Sequence, residues 1–172
     1  DIELIYAADA EPSTLSTLMP ETHAIAVRTA TLNADLLKLA TELQIVSRHG
    51  VGCDNLDVEY LTDRSIPVAI AAGANSTSVA ELTFGMILTL TRRLRELDKA
   101  VRDNDFDARS RILASELEGS HMLIIGFGRI GQKVAARARA FGMSVTVADI
   151  NLNHLVAKEL GCQTVNDFHD EL

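Results

Sequence analysis

Met122-Leu-Ile-Ile-Gly-Phe-Gly-Arg-Ile-Gly131 runs from four apolar residues into a glycine-rich corner, and Ser144-Val-Thr-Val-Ala-Asp149 follows one helix length later. A short apolar run bounded by glycine reads as a buried parallel strand. Residues 129–141 lack Pro and are rich in Ala and Arg, so they read as a helix. Val145, Val147 and Ala148 make a second strand, which ends on an acid.

This strand–turn–helix–strand order suits a dinucleotide. Gly126 permits the tight turn out of the strand. Gly128 leaves no Cβ between backbone and pyrophosphate, and Gly131 lets helix and strand pack closely. The helix N-terminus offers unpaired N–H groups and the positive end of its dipole to phosphates. Asp149 stands about 20 residues past the glycines, where an acid accepts hydrogen bonds from the adenine ribose. It would repel a 2′-phosphate, and no Arg follows in Ile150-Asn151-Leu152, so NAD is expected rather than NADP.

At 172 residues, one or two domains are expected. The composition is 47% hydrophobic and 23% charged, which supports a globular core, and with 4% aromatics that core must be aliphatic. A net charge of −8 argues against nucleic acid and anionic membranes as partners. No apolar run reaches membrane-span length and no signal peptide is read. Cys53 and Cys162 read as free thiols in a reducing cytoplasm. No His, Cys and acid cluster has metal-ligand spacing, so no metal is expected.

Elsewhere short strands alternate with short helices, which predicts a parallel α/β layer. Strands are expected at 1–6, 24–27, 44–47 and 67–71. Helices are expected at 11–19, stopped by Pro20; from an Asn33 cap with apolar face Leu36, Leu37, Ala40 and Leu43; and at 57–64. Arg28, Thr29, the Gly50–Gly52 loop and Asn75 fall at strand carboxyl ends, where ligands gather in such layers. Ala72-Gly73-Ala74-Asn75 reads as a hinge. Ser78-Val-Ala-Glu81 has capping-box spacing for a helix running on to Arg95. Its first half is apolar nearly all round and must be covered on more than one side. Residues 96–111 read as a solvated helix end and loop. After Asp149 come a helix at 152–160, stopped by Gly161, and a strand at 162–165.

Three blocks carry a resemblance: Gly50-Val-Gly-Cys-Asp-Asn55, Asn75-Ser-Thr-Ser-Val-Ala-Glu-Leu82, and Leu117 through Gly131. In order and spacing the chain resembles the D-isomer-specific 2-hydroxyacid dehydrogenases, and within them it is similar to D-3-phosphoglycerate dehydrogenases. The resemblance implies an α/β protein with a flavodoxin-like parallel-sheet substrate domain at 1–74, lacking its first strand. Beside it would stand a C-terminally incomplete Rossmann domain at 75–172. It implies substrate contacts at Arg28, Thr29, Asn75 and the N–H groups of Val51 and Gly52. It places cofactor contacts at Val79, Gly126, Phe127, Gly128, Arg129, Ile130, Gly131 and Asp149, and a homodimer through the 78–95 helix.

The family's catalytic arginine, acid and histidine would all lie beyond Leu172, so the chain is expected to be a fragment that is inactive alone. His49 is the only local histidine near the Gly50–Gly52 loop, with Asp54 the only nearby acid to orient it. The other four histidines read as surface or strand-end residues. The expected function is hydride transfer between a D-2-hydroxy acid, 3-phosphoglycerate or similar, and NAD. The alternative is an NAD-binding module or pseudo-enzyme without turnover.

Overall fold

The computed structural model describes residues 2–9 and 11–171. The chain divides into two compact units, residues 1–74 and 75–172.

The first unit is a parallel sheet of β1 (Ala24–Val27), β2 (Ile45–Arg48) and β3 (Val68–Ile70), in that order. The helices α1 (Pro12–Leu18), α2 (Ala34–Leu37) and α3 (Val58–Asp63) accompany it. Leu32, Leu37, Ala40, Val46 and Leu61 are at most 1% exposed and form the centre of an aliphatic core. Both later helices start on polar caps. The Asn33 side chain accepts from the Leu36 N–H at 2.9 Å and Asp57 from Tyr60 at 3.0 Å, each satisfying a helix-end donor.

Two expectations for this unit need correction and one is met. Residues 2–6 form no strand: Ile2, Leu4, Ile5 and Tyr6 are exposed and pair with none of the three strands, and Asp1 lies outside the described residues. The expected stop of the first helix is borne out: α1 ends at Leu18, capped by Met19, immediately before Pro20. Pro20 sits inside a 3-10 turn, Met19–Glu21, near the turn's start, where its missing N–H costs nothing. The Asn33-capped helix stops after four residues, although Leu37, Ala40 and Leu43 are buried as the apolar pattern requires.

The second unit begins with α4 (Ser76–Thr91), α5 (Leu94–Arg102) and α6 (Ala108–Arg111), followed by β4 (His121–Ile125), α7 (Arg129–Ala140), β5 (Ser144–Ala148), α8 (His154–Glu159) and β6 (Gln163–Thr164). Its sheet is parallel in the order β4-β5-β6. Residues Val145–Ala148 are all buried, as a central strand covered on both faces demands. Ala80 and Phe84 from α4 join Ile124, Val134, Ala138, Val145 and Val147 in one core. Gly161, at φ +66°, ends α8 in the left-handed conformation that stops helices.

Two corrections apply here as well. The Ser78–Glu81 capping box does not form: α4 begins two residues earlier, behind Asn75, so Ser78 is already helical and its start carries no side-chain cap. Glu81 instead faces Arg137 at 3.6 Å. The continuous helix to Arg95 is also broken, because Arg93 adopts φ +53° between α4 and α5. The charged stretch beyond carries the expected helix end, to Arg102, and loop, at 103–107, with the short α6 added at Ala108–Arg111, and it is laced by exposed ion pairs such as Lys99–Asp103 and Arg102–Asp98.

Candidate functional site

In the second unit, the corner after β4 follows from local backbone demands. Gly126 takes φ +96°, a left-handed value open to glycine, and its N–H donates to the Ala148 carbonyl at 2.8 Å. A Cβ on Gly131 would stand 2.1 Å from the Gly126 carbonyl oxygen, so α7 can lie this close to the turn only with glycine there. A Cβ on Gly128 would meet no atom within 4 Å, so the protein's own packing does not require glycine at 128.

Gly128 caps α7 with no side-chain bond, and the first intrahelical bond is Gln132 N–H to Gly128 O. The N–H groups of Arg129, Ile130 and Gly131 therefore have no intrahelical acceptor and point outward at the positive end of a 12-residue helix. Arg129 is exposed and makes no ion pair among the described residues. Such a corner can hold an anion.

Asp149, just past β5, faces the same corner. One carboxylate oxygen accepts the Phe127 N–H at 2.5 Å and the other the Asn151 N–H at 2.8 Å. These bonds, Asn151 first and Phe127 second, hold its pKa below the ordinary aspartate value, so it stays ionised at neutral pH. The Phe127 side chain is 3% exposed and belongs to the core, leaving only its backbone to any ligand. An apolar groove of about 470 Å³ continues from Gly126, lined by Ile125, Ile130 and Val134 with Thr83 and Ile87 of α4. Val79 lies one turn before Thr83, whose hydroxyl donates to the Val79 carbonyl at 2.8 Å. Asn75, expected as a substrate contact at the head of the nucleotide domain, opens this unit, where its carbonyl accepts the Val79 N–H.

In the first unit, Arg28, Thr29, Val51 and Gly52 gather at the carboxyl ends of β1 and β2. Neither Val51 nor Gly52 spends its N–H on a protein acceptor among the described residues, which leaves two adjacent donors of the kind a carboxylate takes. His49 holds the loop by donating its N–H to Val27 O, and it makes no hydrogen bond to Asp54.

Sequence reasoning overlooked Arg48. Its guanidinium folds over Gly50, where a Cβ would fall 1.6 Å from Nη1, and it donates to His49 O at 2.6 Å. Its Nε is buried without a partner. The available signal was position: a cation closing β2 directly before a glycine loop. Among the described residues no group of three or more His, Cys, Asp or Glu could hold a metal, and no helix is long and apolar enough to cross a membrane.

The chain is 38% identical to a D-3-phosphoglycerate dehydrogenase of Methanocaldococcus jannaschii over 85% of its own length and 28% of that protein. It is 42% identical to the Bacillus subtilis D-3-phosphoglycerate dehydrogenase over 80% of its length and 26% of that protein. It thus spans roughly a quarter of these relatives. Among solved structures, D-lactate dehydrogenase from Aquifex aeolicus, complexed with NAD and lactic acid, superposes with a TM-score of 0.80 at 34% identity, covering 88% of this chain and 45% of that one. Residues 1–166 match the profile described as D-isomer specific 2-hydroxyacid dehydrogenase, catalytic domain. The chain belongs to the D-isomer specific 2-hydroxyacid dehydrogenase family.

Proposed function

We propose that the corner Gly126–Gly131 holds the pyrophosphate of NAD and that Asp149 takes the adenine ribose. The single observation that carries this reading is the pairing of free α7 N–H groups with an ionised carboxylate bonded to the same turn. The corner fits the cofactor: at Gly128 a side chain would occupy open space over the donors, and glycine keeps that space clear. Each Asp149 oxygen uses one acceptor site on a backbone N–H and keeps another for a ribose hydroxyl. Arg129 and Ile130 would flank the phosphates and Val79 the nicotinamide side.

For the whole protein we propose hydride transfer between a D-2-hydroxy acid, 3-phosphoglycerate or similar, and NAD. NAD, when bound, exchanges the hydride; the chain's own residues supply position and charge. Val51 and Gly52 would hold the substrate carboxylate by backbone donors. Arg28, Thr29 and Arg48 would meet the far end, and two cations suit a phosphate better than one. A second reading is an NAD-binding module without turnover. For residues 1–172 it is favoured by one observation: among the described residues, His49 has no carboxylate bonded to it that could tune it as a proton carrier. Two partly buried free thiols fit a reducing compartment, the cytoplasm. We also assign α4 to a homodimer contact, since Leu82, Met86 and Leu90 recur every fourth residue and are 62%, 54% and 73% exposed.

The readings part on absorbance at 340 nm with NAD and a D-2-hydroxy acid. Turnover by the whole protein and none by residues 1–172 alone is expected. A whole protein that binds NAD and stays silent with every such acid supports the module.

A further inference from the structure

The Arg28–Thr31 segment leaves β1 and must stay in place if it is to meet a substrate. Among the described residues its backbone and side chains receive one hydrogen bond: Asn55 Nδ2 donates to Ala30 O at 2.7 Å, bridging 25 positions of sequence. The Asn55 carbonyl accepts the Leu32 N–H at 2.8 Å, and Asp57 N–H donates back to Leu32 O at 3.0 Å. Leu32 and Leu56 form an isolated parallel bridge, and both are buried. Asn55 therefore closes the glycine loop after β2 and grips the loop after β1 in the same step. Ala30 O can only accept, so the amide nitrogen faces it.

We propose that Asn55 is a positioning residue for the substrate: it fixes Arg28 and Thr29 relative to the Val51 and Gly52 donors without touching the substrate. The role rests on the reading of these loops as the seat of a 2-hydroxy acid. An aspartate keeps the shape of the side chain but replaces the donor by a second acceptor facing Ala30 O. Freed of its one tie, the segment would sample other backbone states before each binding event. Since the cofactor corner belongs to the other unit, the defect should reach the acid and spare NAD.

The test measures KM for 3-phosphoglycerate and for NAD, kcat and melting temperature in the protein and in Asn55→Asp. The control is Asp57→Ala, which removes the α3 cap two residues away. Asn55→Asp is expected to raise the acid KM about tenfold, the order lost with one hydrogen bond and its neutral pairing. The NAD KM should stay within twofold, and hydrogen exchange at the Leu32 N–H, which the Asn55 carbonyl accepts, should speed up. Asp57→Ala should lower the melting temperature and leave the acid KM alone. An unchanged acid KM in Asn55→Asp overturns the proposal. So does a fall in acid and NAD affinity together, in step with stability, since that marks a merely structural residue. Failure of the unsubstituted protein to bind any 2-hydroxy or 2-oxo acid overturns the substrate reading itself, and the role of Asn55 with it.

Discussion

A Cβ at 131 would collide with the Gly126 carbonyl, whereas one at 128 would meet nothing, so two glycines three residues apart serve different ends. Gly131→Ala should cost about 2 kcal/mol or more in denaturant unfolding, because the obstacle is backbone and cannot rotate away. Gly128→Ala should leave stability within about 0.5 kcal/mol, since its φ of −78° suits any residue, yet weaken NAD binding. Equal stability losses in the two variants would show that both serve packing. The sequence made the three glycines and the acid legible because their spacing is local and chemical. It did not disclose that Asp149 spends each oxygen on a backbone N–H, which depends on how the turn at Asn151 brings the carboxylate to Phe127. Arg48 was missed for a similar reason: whether a strand-end cation turns to solvent or folds over Gly50 is decided in three dimensions.

Helix starts show the same division between local signal and tertiary choice. Asn33, Asp57 and Asn153 each accept from a backbone N–H three residues on, and these caps open helices of four, six and six residues. Helices so short are marginal without caps and packing. Replacing any of the three by Ala should cost about 1 kcal/mol, read from the shift in unfolding midpoint. Ser78→Ala should cost nothing measurable, because Ser78 lies inside α4 and caps no helix. A loss at Ser78 matching those at the three caps would reinstate the capping box. That box was read from spacing alone, and spacing cannot register that α4 already starts at Ser76. The break at Arg93 was equally hidden: neither Gly nor Pro marks it.

At the scale of the whole molecule, the alternation of apolar runs and helical segments was enough to predict parallel α/β sheets, and both units have them. Residues 2–6 alternate like a strand yet join no strand among the described residues, because alternation describes a face and not the partner that completes a ladder. The exposed Leu82, Met86 and Leu90 lead to a prediction about assembly. Sedimentation equilibrium should give a dimer, and Met86→Glu, placing a charge in that apolar row, should give a monomer with NAD affinity preserved. A dimer indifferent to that charge would move the contact elsewhere.

The central claim, NAD seated on the glycine corner with its ribose on Asp149, is tested most directly by calorimetric titration of NAD into the protein and into Asp149→Arg. The substitution removes the carboxylate acceptor and its bond to the Phe127 N–H. NAD affinity is expected to fall at least about tenfold, a loss of roughly 1.4 kcal/mol. Equal NAD affinity in the two proteins would contradict the account.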